Sequence, residues 1–98
     1  MKFAQNIEFE TTRIDEFNAK LDAWMAGTDG HRTPHRAVLR RDRDVADQYL
    51  FTVEFSSYER GMENSARPET GEFAAFLAGI SDSALTFRNL DVLREEDL

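Results

Sequence analysis

Apolar and polar residues alternate from Lys2 to Glu10, with Phe3, Ile7 and Phe9 on one side and Ala4, Asn6 and Glu8 on the other, which predicts a first strand. Ile14, Phe17, Leu21, Trp24 and Met25 then recur at helical spacing, predicting a helix from about Arg13 to Ala26. Thr12 followed three residues later by Asp15 resembles a capping box at its start. Gly27 and Gly30 bracket its exit, and Pro34 confirms the break. Arg36–Arg41 and Tyr49–Phe55 read as two further strands joined by a charged hairpin tip, Asp42–Asp47. Ser56, with Glu59 three residues on, suits the cap of a short second helix ending before Pro68. Glu69–Ile80 restarts a helix with the stripe Phe73, Phe76, Leu77 and Ile80, and Leu85–Leu93 closes the sequence as a last strand before an acidic tail, Arg94–Leu98.

The order is β-α-β-β-α-β with the second helix in two pieces. It predicts an α+β fold, ferredoxin-like, in which a four-stranded antiparallel sheet carries its helices on one face, as right-handed crossovers require. The 98 residues suit a single domain, residues 1–98, with one core. Because the first strand shows three large apolar residues on one side and the third strand shows apolar residues on both, the open face of the sheet is expected to carry an excess of apolar area. A partner subunit would cover it.

Charge and composition narrow the function classes. Twelve Lys and Arg against 19 Asp and Glu give a net charge of −7, which repels phosphate backbones and anionic lipid, so neither nucleic acid nor membrane is an expected partner. The absence of cysteine excludes disulfides, thiolate metal sites and a thiol nucleophile. With the longest apolar stretch, Phe73–Ile80, far short of the ~20 residues that span a bilayer, the expectation is a soluble cytoplasmic protein. The five glycines are scattered, so no phosphate loop is visible, and no strained nucleophile turn of the G-x-S-x-G kind occurs.

Several side chains are candidates for chemistry. His31 and His35 lie four apart around Pro34, a loop in which that spacing sets no metal geometry. Arg32, Arg36, Arg40, Arg41 and Arg43 crowd together; they suit protection of an edge strand, with an anionic ligand as the alternative. Asn6 sits mid-strand, where its amide needs a partner, structural or bound. Trp24, Tyr58 and Met62 serve a core or a small-molecule pocket equally well. Arg88, among Leu85, Phe87 and Leu90, needs a carboxylate such as Glu54 if it faces inward and nothing if it faces out.

The segments Leu50-Phe-Thr-Val-Glu-Phe55, Ser57-Tyr58-Glu59, Met62-Glu63-Asn64-Ser65, Pro68-Glu69-Thr70 and Phe87-Arg88-Asn89-Leu90-Asp91-Val92 resemble the dimeric α+β-barrel superfamily. Within it they are most similar to small bacterial proteins grouped with antibiotic-biosynthesis monooxygenases. The resemblance implies a homodimer closed into a barrel, and a cofactor-independent monooxygenase acting on an aromatic or polyketide-type substrate. Asn6, Phe55, Tyr58, Met62, Asn64, Phe76 and Arg88 would surround that substrate. A non-catalytic dimeric ligand-binding or accessory protein is the alternative. The haem-degrading branch of the superfamily has an asparagine on its first strand and a tryptophan and a histidine on later helices. Asn6 is similar to the first, but Met62 and Phe76 fall where the other two would stand, so no cofactor is expected.

Overall fold

The computed structural model describes residues 1–98. Its elements run β1 (Phe3–Glu10), α1 (Ile14–Gly27), β2 (Arg36–Arg41), β3 (Gln48–Phe55), α2 (Tyr58–Ser65), α3 (Pro68–Ile80) and β4 (Thr86–Asp91). The sheet is antiparallel throughout, in the order β2-β3-β1-β4. This is the α+β, ferredoxin-like arrangement expected, with the second crossover split into two helices.

Strand alternation assigns every sheet residue to one of two faces. Phe3, Gln5, Ile7 and Phe9 of β1 stand beside Tyr49, Phe51, Val53 and Phe55 of β3 and beneath the helices. Phe17 of α1 is fully buried in that layer, its ring 5.3 Å from Phe9, 5.1 Å from Phe51 and 5.5 Å from Phe73 of α3. Leu77 and Ile80 complete the contact of α3 with the same core. Phe76, expected in this stripe, is only half-buried at the helix margin, with Lys20 Nζ 5.6 Å from its ring centre.

The uncovered face differs from expectation. Phe3, Ile7 and Phe9 all belong to the helix side, so the open face consists of cross-strand rows such as Arg36, Glu54, Ala4, Leu90 and Val38, Thr52, Asn6, Arg88. It is mixed rather than apolar: Arg36 Nη1 lies 3.6 Å from Glu54, Arg88 Nε lies 3.6 Å from Glu8, and Thr52 donates to Asn6 Oδ1 at 2.8 Å. Arg88 therefore faces outward and pairs with Glu8 on the adjacent strand, while Glu54 lies beyond β1 beside Arg36.

Helix ends also depart from the sequence reading. Thr12 caps nothing; Thr11, fully buried, accepts from Arg13 N at 3.0 Å and donates to Ile80 O at 2.6 Å, tying the entry of α1 to the end of α3. Ser57 rather than Ser56 caps α2, accepting from Arg60 N. α3 begins with Pro68 at its first position, where a missing N–H costs no helical bond. At the exit of α1 Thr28 sends both its N–H and its hydroxyl to Trp24 O, and Gly30, at φ +83°, makes the turn beyond. The segment predicted as the last strand leaves the ladder beyond Val92, whose N–H still donates to Lys2 O at 3.0 Å, and Glu95 returns to pair with Lys2 at 2.9 Å.

α2 approaches the sheet so closely that a Cβ at Gly61 would lie 2.6 Å from the ring of Phe3, which is wedged between Phe55 and Tyr58. Alanine improves helix propensity by about 1 kcal/mol but forces a buried ring to move at about 1–3 kcal/mol. Gly61→Ala is expected to destabilise the fold by about 1 kcal/mol net, read as a lower denaturation midpoint with an unchanged slope.

Candidate functional site

A cavity of about 240 Å³ lies between the helix face of the sheet and the helices. Its apolar walls come from Ile7, Phe51 and Val53 of the sheet, Leu21 and Trp24 of α1, and Phe73 and Ala74 of α3. Gly71 on α3 leaves space, since a Cβ there would meet nothing within 4 Å. Phe87, 60% exposed on the edge strand β4, stands at the mouth.

A band of neutral polar groups occupies one side. Gln5 replaces a hydrophobic residue between Phe3 and Ile7 on the inward face of β1, and Asn89 stands directly opposite on β4. Gln5 Nε2 donates to Ser65 Oγ at 3.1 Å and to Asn89 Oδ1 at 3.4 Å, and Ser65 Oγ in turn donates to Gly61 O. Asn64, near the end of α2, is only 6% exposed, borders the cavity and makes no side-chain hydrogen bond within the chain. Thr70 Oγ1, also on the wall, is buried without a partner. Buried hydroxyls normally find partners, and leaving the Thr70 hydroxyl bare costs ~1–3 kcal/mol; it and the accessible amide of Asn64 are suited to meet a ligand.

Of the residues singled out from the sequence, Trp24, Asn64 and Arg88 border this cavity. Arg88 does so at the β4 edge while its guanidinium is directed at Glu8. The others stand elsewhere. Asn6 belongs to the opposite face of the sheet, where its oxygen accepts from Thr52. Phe55 is fully buried in a separate aromatic group with Phe3, and Tyr58 caps that group edge-on at 5.3 Å while remaining 51% exposed. Met62 and Phe76 are half-buried outside the lining. Gln5, Ser65, Thr70 and Asn89 were not anticipated; a polar residue on the apolar side of a strand, as Gln5 is, was the available signal.

His31 and His35 are both exposed and lie outside the cavity wall. No three His, Asp or Glu side chains converge as metal ligands would. No helix is long and apolar enough to cross a membrane.

No protein-family model matches the sequence and no curated protein is significantly similar to it. Solved structures are similar in fold across nearly the whole chain. SnoaB from Streptomyces nogalater, a cofactor-independent oxygenase, superposes with a TM-score of 0.79 at 16% identity, covering 96% of this chain and 95% of its own. Rv0793 from Mycobacterium tuberculosis gives 0.76 at 16%, covering 99% and 100%. An antibiotic biosynthesis monooxygenase gives 0.71 at 13%, covering 96% and 100%. The chain thus has the fold of the antibiotic-biosynthesis-monooxygenase-like α+β-barrel proteins.

None of the residues lining the cavity is a histidine, cysteine, methionine or tyrosine, the side chains that hold haem iron. Titration of the protein with haem is expected to give only the broad Soret band of unligated haem. A sharp shifted band at one haem per chain, abolished by His31→Ala or His35→Ala, would contradict this.

Proposed function

We propose that the chain is a cofactor-independent monooxygenase acting on a small aromatic or polyketide-type substrate. The observation that carries this reading is the apolar cavity with the amide of Asn64, free of side-chain hydrogen bonds within the chain, on its wall. An oxygenase without metal, flavin or haem must draw its electrons from the substrate, and it needs a pocket that holds an electron-rich ring away from water and steadies the oxyanion formed on deprotonation. Asn64 Nδ2 and the second amide nitrogen of the band, Asn89 Nδ2, are donors of the right kind. The apolar walls of Ile7, Phe51, Phe73 and Trp24 suit an aromatic ring and admit oxygen.

The overall reaction is R₂CH₂ + O₂ → R₂C=O + H₂O, where R₂CH₂ is the keto form of a hydroxyarene. Loss of a proton gives the aryl oxyanion; transfer of one electron to oxygen and recombination form a C–O bond; the resulting peroxide anion takes up a proton from water, balancing the one lost, and the hydroperoxide then loses water across its O–O and C–H bonds. The likeness in fold to SnoaB, an oxygenase of this cofactor-free type, supports the reading.

The same proposal includes a homodimer formed by the open sheet faces. Val38 and the 42% exposed Leu90 supply apolar contact there, and the Arg36–Glu54 and Arg88–Glu8 pairs supply charges of both signs that a two-fold axis can match.

Oxygen uptake above the autoxidation rate is expected with some member of a panel of one- to three-ring hydroxyarenes, in chelator and without added flavin or nicotinamide. Asn64→Ala should lower kcat/KM by about 10²-fold, the usual effect of deleting one oxyanion donor. Ligand binding without oxygen uptake would favour the accessory-protein alternative. Light scattering is expected to give twice the 11.3 kDa chain mass, and Val38→Lys with Leu90→Lys should give monomers with unchanged circular dichroism. A monomeric parent protein at micromolar concentration would refute the dimer.

A further inference from the structure

Of the sixteen residues bordering the cavity, Arg88 is the one with an ionisable side chain, and its guanidinium is directed at Glu8 on the other face of the sheet. Glu69, whose Oε2 is buried without a partner, stands outside the lining. The polar band therefore consists of amides and hydroxyls. Its hydrogen-bond inventory is fixed in part by Gln5: Nε2 is used on Ser65 and Asn89, and accepting that bond turns Asn89 Oδ1 toward Gln5 and leaves its Nδ2 free. The groups left for a ligand are two amide donors, on Asn64 and Asn89, and two amide acceptors, on Gln5 and Asn64, with the Thr70 hydroxyl able to do either.

A mixed donor and acceptor wall without a cation matches a neutral group that carries both functions. A carboxylate has acceptors alone; it would oppose amide oxygens and lose its hydration with no countercharge in return. The net charge of −7 adds long-range repulsion of anions at low salt.

We propose that the cavity selects neutral aromatic ligands bearing a carboxamide-like donor and acceptor edge, and excludes their anionic counterparts. This rests on the reading of the same cavity as a ligand site and specifies the ligand class. Its consequence for the reaction is that no side chain of the wall can take the substrate proton, which must leave to water or buffer.

Trp24 is the only tryptophan in the chain and borders the cavity, so its fluorescence reports occupancy. Naphthalene-2-carboxamide and naphthalene-2-carboxylate have one shape and differ in charge. Titration followed by Trp24 quenching and calorimetry at pH 7 is expected to show the amide binding at least about tenfold more tightly than the carboxylate. Asn64→Leu should weaken the naphthamide about tenfold and leave unsubstituted naphthalene unaffected, which separates a lost hydrogen bond from a disturbed fold. Equal or tighter binding of the carboxylate, or no quenching by the naphthamide, would overturn the proposal. Selective binding of the amide without oxygen uptake from any hydroxyarene would remove the monooxygenase reading and leave this one standing. Oxygen uptake with anionic substrates preferred would do the reverse.

Discussion

The packing of Phe17 is the contact on which the remaining structure depends. Its ring touches β1 through Phe9, β3 through Phe51 and α3 through Phe73, so one side chain holds the sheet and two helices in a single arrangement. Aromatic pairs at these separations add ~0.5–1.5 kcal/mol each beyond the area they bury, and the layer they form lies beside the cavity. Phe51 and Phe73 belong to both. They line the cavity, stack on each other and meet Phe17 in edge-to-face contacts, which is how a pocket stays open in a fold of this size: its lining is anchored from behind.

The two faces of the sheet divide the work. Odd-numbered positions of β1 and β3 build the core and the cavity, and even-numbered positions form a separate array of ion pairs and small polar contacts on the uncovered side. A residue one position away in sequence thus belongs to a different environment. Asn6 and Gln5 are neighbours with similar amides. One is held by Thr52 away from the cavity, and the other organises the cavity's polar band.

Much of this was legible in the amino acids because the period of a strand and the period of a helix are distinct. The order of elements, the edge position of β2 and the core membership of Phe17, Phe73, Leu77 and Ile80 follow from those periods. What escaped was information that needs two segments at once. Thr11 acts as a tie to Ile80, 69 residues away, and nothing local marks it; the partner of Arg88 depends on β1, which carries Glu8, lying beside β4. Asn64 was a candidate from the start, whereas Tyr58, Met62 and Phe76 were drawn in by their chemistry although their helices aim them elsewhere. Gln5 and Asn89 become a pair only once β1 and β4 are seen in register.

The strand order places the first strand of the chain at the centre of the sheet, hydrogen-bonded on one side to β3 and on the other to β4. Phe3 is paired with Asp91 and Ile7 with Phe87, so the last ladder joins segments about as far apart in sequence as this chain allows. Closing such a loop costs entropy before any contact rewards it, and chains dominated by contacts of this span fold in milliseconds to seconds rather than microseconds. During synthesis, β1 and β3 can pair while the outer flank of β1 is still a bare edge, since β4 has yet to leave the ribosome. The mouth and polar band of the cavity, which need Phe87 and Asn89, are therefore among the last parts of the molecule to exist. A nascent chain has a core before it has a binding site.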